Sequence, residues 1–294
     1  MRNKKRSGKW IVVLFLAGIA IFCYPAFSGY WNSFHQTQAV TRYAEQTASA
    51  PPGTYESMLE AARAFNEKRL NNREDICEMT DAELGEYNAL LNPTGSGMMG
   101  YIEIPSIGVL LPIYHGTSAD VLQLGVGHLA WTSLPIGGEG THTVLSGHRG
   151  LPSARLLTDM DKVQPGDRFR LCVLREVMTY EVDRILTVVP EDTTELVVTP
   201  GEDYCSLVTC TPYALNTHRL LVRGHRVEEN AAPPLTADAR RIDPLFVAPF
   251  LAVPILLLLF VRYACFPAIG AERRRILRRF REGEGIEIGP PPPE

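Results

Sequence analysis

Three side chains have types and positions suited to acyl transfer: His148 in LSGHRG, Cys210 closing SLVTC, and Arg219 in NTHRLLVRG. A thiolate is a strong nucleophile, and a nearby imidazole can hold its proton and later protonate a leaving amine. A guanidinium keeps its proton, so it offers a fixed positive donor to the oxyanion of a tetrahedral intermediate. Strand parity puts Cys210 on one face with Val208 and Ser206, at a strand end just before Thr211-Pro212. His148 lies where a strand gives way to Arg149-Gly150. Arg219 opens the next strand, and the loop TPYALNTH can return it to the thiol. Taken singly, each residue also has a structural reading, because a strand-end Cys is commonly a buried hydrophobe. Zinc is the competing chemistry. Cys205, Cys210, His218 and His225 are spaced C-x4-C-x7-H-x6-H, whereas a zinc-binding His pair usually has three to five intervening residues. Cys205 and Cys210 are also an odd number apart, so on one strand they face opposite ways. No metal site is expected.

The elements that must position these groups show in the hydrophobic period. YESMLEAARAFNEKRL places Met58, Leu59, Ala62 and Phe65 on about one helical face, and DAELGEYNALL gives a second short helix ending at Asn92-Pro93. NNREDICEMTD between them is unpatterned and reads as a loop. The period then changes. YIEIP, VLLPIY, THTVLSGH, RFRLCVL, MTYEVDRILTVV, SLVTC and HRLLVRGHRV are short and β-branched, separated by Gly, Pro and Asp turns. They predict an antiparallel sandwich or barrel. Cys172 and Cys205 fall in strands and read as buried thiols, with a bridge between them left open.

Charge is partitioned along the chain. Residues 1–9 hold five Lys or Arg, and a charge-free apolar run follows from Trp10 to Phe27. A second charge-free run, Pro244 to Val261, precedes AERRRILRRFRE, which has six Arg against two Glu. Residues 31–243 carry 17 Lys and Arg against 28 Asp and Glu. Apolar runs of that length with basic outer flanks predict two membrane spans, 10–30 and 244–269. Both termini, 1–9 and 270–294, then lie in the cytoplasm and the acidic middle lies outside. A signal peptide in place of the first span, and a core helix in place of the second, fit these flanks less well. The Arg-rich tail abuts a span, so anionic lipid accounts for it and nucleic acid is not expected as a partner. With 45% hydrophobic residues the chain is not low-complexity disorder, and six Cys in 294 residues are too few for a disulfide-built scaffold.

The sequence resembles the sortases, specifically the class C, pilus-assembling kind of Gram-positive bacteria. GYIEIPSIGVLLPIYHGTSADVLQLGVGHL, THTVLSGHRGLPSARL and TCTPYALNTHRLLVRGHR carry the likeness over roughly residues 99–227. The family's TLxTC motif stands here as Ser206-Leu207-Val208-Thr209-Cys210, with Ser in place of the first Thr. The resemblance implies a mainly β fold: an eight-stranded barrel over 99–229, a helical extension over 31–98 with a lid-like loop, and a linker over 230–243. It implies catalytic parts for Cys210, His148 and Arg219, and substrate-binding parts for Thr209 and Leu207. The implied substrates are pilins or surface proteins with an LPXTG-like sorting signal, the implied acceptor a pilin lysine, and no metal or organic cofactor is needed.

Two departures stand out. The Asp-Pro-aromatic lid motif of class C enzymes is missing from NREDICEMT; Asp75, placed to pair with Arg219, and Cys77 are its nearest counterparts. Cys77 reads as a surface thiol or hydrophobic contact, with a reversible disulfide to Cys210 as the alternative. Ala130-Trp131 is bulkier than the family pattern and either reshapes a groove wall or fills the core. Rival functions are a membrane-bound cysteine peptidase, a sortase that anchors proteins to peptidoglycan, and a β-rich structural or receptor domain. The order His148 before Cys210, followed by an Arg, argues against a papain-like peptidase.

Overall fold

The computed structural model describes residues 4–51, 53–71, 79–151, 153–228 and 252–260. They fall into two units, Tyr24–Arg241 and the terminal segments Met1–Cys23 with Ile242–Glu294. In the terminal unit, the rings of Phe15 and Phe260 stack with centroids 4.1 Å apart. The first expected span is the start of α1 (Lys4–Ser49), which is long and apolar enough to cross a membrane. Neither Pro25 nor Gly29 breaks it, so the helix does not stop at residue 30. It ends where Pro51 follows Ala50, since the residue before a proline is pushed out of helical conformation. Of the expected second span, 244–269, only 252–260 are described, and they are helical; the rest lies outside the described residues.

In the larger unit, α2 (Glu56–Asn71) has Glu56 in its first turn and Lys68 and Arg69 in its last, which suits the helix dipole. α3 (Asp81–Ala89) starts with a capping box in which the Thr80 hydroxyl accepts from the Glu83 N–H and the Glu83 carboxylate accepts from the Thr80 N–H. Both helices were legible from their periodicity. The stretch 72–78 between them, with the lid candidates Asp75 and Cys77, lies outside the described residues.

Eight strands close into a barrel: β1 (Met98–Ile104), β2 (Val109–His115), β3 (Val126–His128), β4 (Thr141–Ser146), β5 (Arg168–Val173), β6 (Glu176–Val188), β7 (Asp203–Thr211) and β8 (His218–Val227). Their order around the barrel is β1-β2-β3-β4-β7-β8-β6-β5. The expectation of an antiparallel sheet needs correction, because β2 pairs with β3, and β4 with β7, in parallel. A period of two reports that a segment is a strand, and not which strand lies beside it. β3 has three residues in GVGHL, too few to show a period.

The interior is filled by inward residues such as Ile102, Ile113, Val126, Leu145, Leu171, Tyr180, Leu207 and Val222. α2 and α3 close the barrel with Phe65 and Tyr87. α1 seals the β1–β2 face: the buried Tyr43 hydroxyl donates to the Met99 carbonyl at 2.6 Å and accepts from the Leu174 N–H at 2.8 Å. A smaller apolar cluster of Val144, Leu196, Val208 and Leu221 lies apart from this core. By strand parity that outer cluster shares a face with Cys210 and Arg219.

Candidate active site

β7 and β8 pair antiparallel, and Cys210 lies directly opposite Arg219. Residues facing each other across such a pair have Cβ atoms about 4.5–5.5 Å apart, so the two side chains leave the sheet from adjacent positions. The Arg219 guanidinium donates through Nη1 to the Asn216 and His218 carbonyls. His148 arrives from β4. The parallel register matches Ser146 to Val208, and carried on by two residues it brings His148 level with Cys210. Two hydrogen bonds hold that level: the Gly147 N–H donates to the Val208 carbonyl at 3.1 Å, and the Thr209 hydroxyl donates to the Gly147 carbonyl at 2.8 Å. The three residues expected from sequence to do the chemistry therefore converge on one edge of the barrel.

The expected substrate-binding pair fares differently. Thr209 is buried with its hydroxyl committed to the carbonyl of Gly147, the residue before His148. Leu207 is 1% exposed inside the barrel core and presents no surface to a ligand. The parity that turns Cys210 outward turns both of these inward. The Ser that replaces the first Thr of the motif, Ser206, lies 2.8 Å from His142 Nε2, and His142 Nδ1 lies 3.1 Å from the Val197 carbonyl. The pair is buried and structural.

Arg149 was missed as a positioning residue. Its side chain is largely buried; Nε donates to the Thr158 carbonyl at 3.2 Å, Nη1 to the Thr211 hydroxyl at 3.1 Å, and Nη2 pairs with Asp161 at 2.8 Å. It thus ties the residue after His148 to the residue after Cys210. The only sequence signal was an Arg beside a candidate His, which does not distinguish a surface charge from a buried tie. Gly150 sits at φ +81°, and a Cβ there would lie 2.7 Å from the ring of Tyr213. The aromatic ring of the β7–β8 loop thus rests on the His148 loop where only glycine fits. That loop closes on itself through the Leu157 N–H, which donates to the His148 carbonyl at 3.1 Å.

Trp131 is partly exposed and packs on the outer apolar cluster, on the face of Cys210, so it serves as wall rather than core filling. α2 sets that wall: Asn66 exchanges hydrogen bonds with the Leu134 backbone at 2.7 and 3.3 Å, and Arg69 Nη2 donates to the Trp131 carbonyl at 3.3 Å. The apolar cluster beside Cys210 is buried, and its partly exposed cover is Leu129, Trp131, Leu186 and Val188.

Cys172 and Cys205 are free, buried thiols in strands β5 and β7. Burial pushes both thiols up, which keeps them protonated and inert. Cys210 is half-buried at a strand end. Iodoacetamide at neutral pH is therefore expected to modify Cys210 in the native protein and to reach Cys172 and Cys205 only after denaturation, as read by peptide mapping. Modification of either strand thiol ahead of Cys210 would contradict this arrangement.

Comparison with known proteins matches this architecture. Residues 102–227 match the Sortase domain model. Sortase D of Bacillus subtilis is 32% identical over 142 residues, 47% of this chain and 69% of that protein. The crystal structure of sortase C1 from Streptococcus agalactiae superposes with a TM-score of 0.63 at 46% identity, over 66% of this chain and 100% of that one. Sortase C of Streptococcus pneumoniae gives 0.59 at 42% identity, over 67% and 100%. The closed eight-stranded barrel behind a long apolar helix is the architecture expected from the sequence, and the chain belongs to the sortase family of cysteine transpeptidases, with class C sortases as its structural neighbours.

Proposed function

We propose that the protein cleaves an LPXTG-like sorting signal and joins the new carboxyl end to a lysine amine of a pilin subunit. Cys210 attacks the threonine carbonyl carbon, the C–N bond to glycine breaks, and His148 gives its proton to the departing amine. A thioester then links Cys210 to the threonine. The lysine amine attacks that thioester and passes its proton to His148. The Cys210 thiolate leaves, and an isopeptide bond remains. Arg219 donates to the oxyanion in both steps, as a cation that cannot lose its proton. The observation that carries this reading is the β7–β8 register that sets Arg219 opposite Cys210, with Gly147, the residue before His148, bonded to Val208 and Thr209. The Streptococcus pneumoniae neighbour, described for its pilin substrate specificity, supports pilin as the substrate class.

The same reading anchors the chain through α1, with the barrel outside the cell and the basic N-terminus in the cytoplasm. The candidate span in α1 and the charge partition support it.

The test is intact-mass spectrometry of the full-length protein in detergent with an LPXTG-like peptide. A peptide adduct, absent in Cys210→Ala, is expected to discharge onto a lysine-bearing pilin domain. An adduct released only by a peptidoglycan-type amine would reassign the enzyme to wall anchoring. Adduct formation by Cys210→Ala would remove Cys210 from the chemistry.

A further inference from the structure

Beyond Cys23, α1 has two faces. Ser28 and Asn32, about one turn apart, donate to the Ser153 carbonyl at 3.3 and 2.7 Å. Further along, Val40, Tyr43 and Thr47 are buried. Phe27, Tyr30, Trp31 and Phe34 recur at the spacing of another face and are 66%, 54%, 54% and 47% exposed. The Phe27 and Trp31 rings neighbour each other at 6.2 Å between centroids. No Lys, Arg, Asp or Glu occurs from Trp10 through Thr41.

We propose that Phe27, Tyr30, Trp31 and Phe34 form an interfacial belt in the headgroup zone of the bilayer, and that the Ser28–Asn32 clip on Ser153 holds the His148 loop at the membrane surface. The inference rests on the membrane anchoring proposed above. The belt prolongs the apolar stretch of the same helix, and this charge-free continuity selects lipid as its occupant. Trp and Tyr favour the bilayer interface, where an apolar ring and a polar tip are both satisfied. Ser28 and Asn32 alternate with Phe27 and Trp31 along the helix, and each residue rises only about 1.5 Å, so clip and belt share one depth. Ser153 lies in the loop that Leu157 closes onto the His148 carbonyl, so its depth constrains that of His148. A polypeptide still tethered to the bilayer would then meet the cleft at high effective concentration.

The test uses full-length protein in phosphatidylcholine vesicles as two single-tryptophan variants. One retains Trp31 and carries Trp10→Phe and Trp131→Phe. The other carries S153W with all three native tryptophans changed to Phe; the clip accepts on the Ser153 backbone, so the substitution spares it. Both are expected to be quenched several-fold more by lipid spin-labelled at the headgroup than by lipid labelled at mid-chain. If alkaline carbonate strips the protein from the vesicles, the anchoring reading fails and takes the belt with it. If the protein stays embedded but headgroup label leaves Trp31 unquenched, the belt alone is overturned. Trp31 shielded from both lipid labels and from iodide, in a cross-linkable dimer, would assign the face to a second copy. Quenching of Trp31 without quenching of S153W would overturn the placement of the loop.

Discussion

Arg219→Ala is expected to lower kcat for acyl transfer by about 10²–10³-fold, the usual consequence of removing one oxyanion donor. That corresponds to roughly 3–4 kcal/mol of barrier. Arg219 lies opposite Cys210 in the β7–β8 register, and its Nη1 donates to the carbonyls of Asn216 and His218 at 3.3 and 3.2 Å. The side chain is thus part of the β7–β8 loop as well as the site. Arg219→Lys keeps a charge but loses the planar fork, and it is expected to restore only part of the rate. The separating measurement is kcat and KM with a sorting peptide, beside the iodoacetamide rate of Cys210. If KM rises while kcat holds, Arg219 grips the peptide and does not stabilise the oxyanion. Unchanged values of both would remove Arg219 from the mechanism.

Acidification is expected to destabilise the barrel steeply before any carboxylate that lacks a partner titrates. His128 is fully buried, with Nε2 2.8 Å from the Ser133 carbonyl and Nδ1 3.0 Å from the Tyr87 hydroxyl. Both contacts suit one neutral tautomer, Nε2 donating and Nδ1 accepting. Burial pulls its pKa down to about 4, and burial also lowers those of His115 and His142. A group depressed in the folded state takes its proton more readily when unfolded. Stability therefore falls as pH drops from about 6.5, the ordinary imidazole value, toward about 4, and the His128 contribution levels off below that. The loss from His128 alone is on the order of 3 kcal/mol. Urea midpoints of the full-length protein at pH values across this window should fall, and His128→Gln should flatten the slope. A midpoint flat across the window would show that His128 accepts a proton without leaving its site.

His128 also shows why the sequence left parts of the molecule unread. Nothing in GVGHLAW separates a His that stacks on Tyr87 from one in solvent, because Tyr87 comes from a distant segment. The same holds for Arg149, whose partners Thr211 and Asp161 lie far along the chain or in another element, and for the Ser28–Asn32 clip on Ser153. Local patterns did report α2, α3 and seven of the strands, because an apolar period follows from which face a segment buries.

Cys210 and Arg219 could be paired from sequence because a hairpin joins their strands and a short loop constrains where it returns. The linked motifs over residues 99–227 fixed the family on the same residues. That Cys210 shares a face with Val208 and Ser206 followed from strand parity, which a residue count alone determines; which face is outward did not. What only tertiary structure decided is how His148 reaches that pair. β4 lies parallel to β7 across an excursion that contains β5 and β6, and no local preference encodes such a neighbour. Gly147 meets Val208 and Thr209 only through that long-range pairing, and it is the barrel interior that buries Leu207.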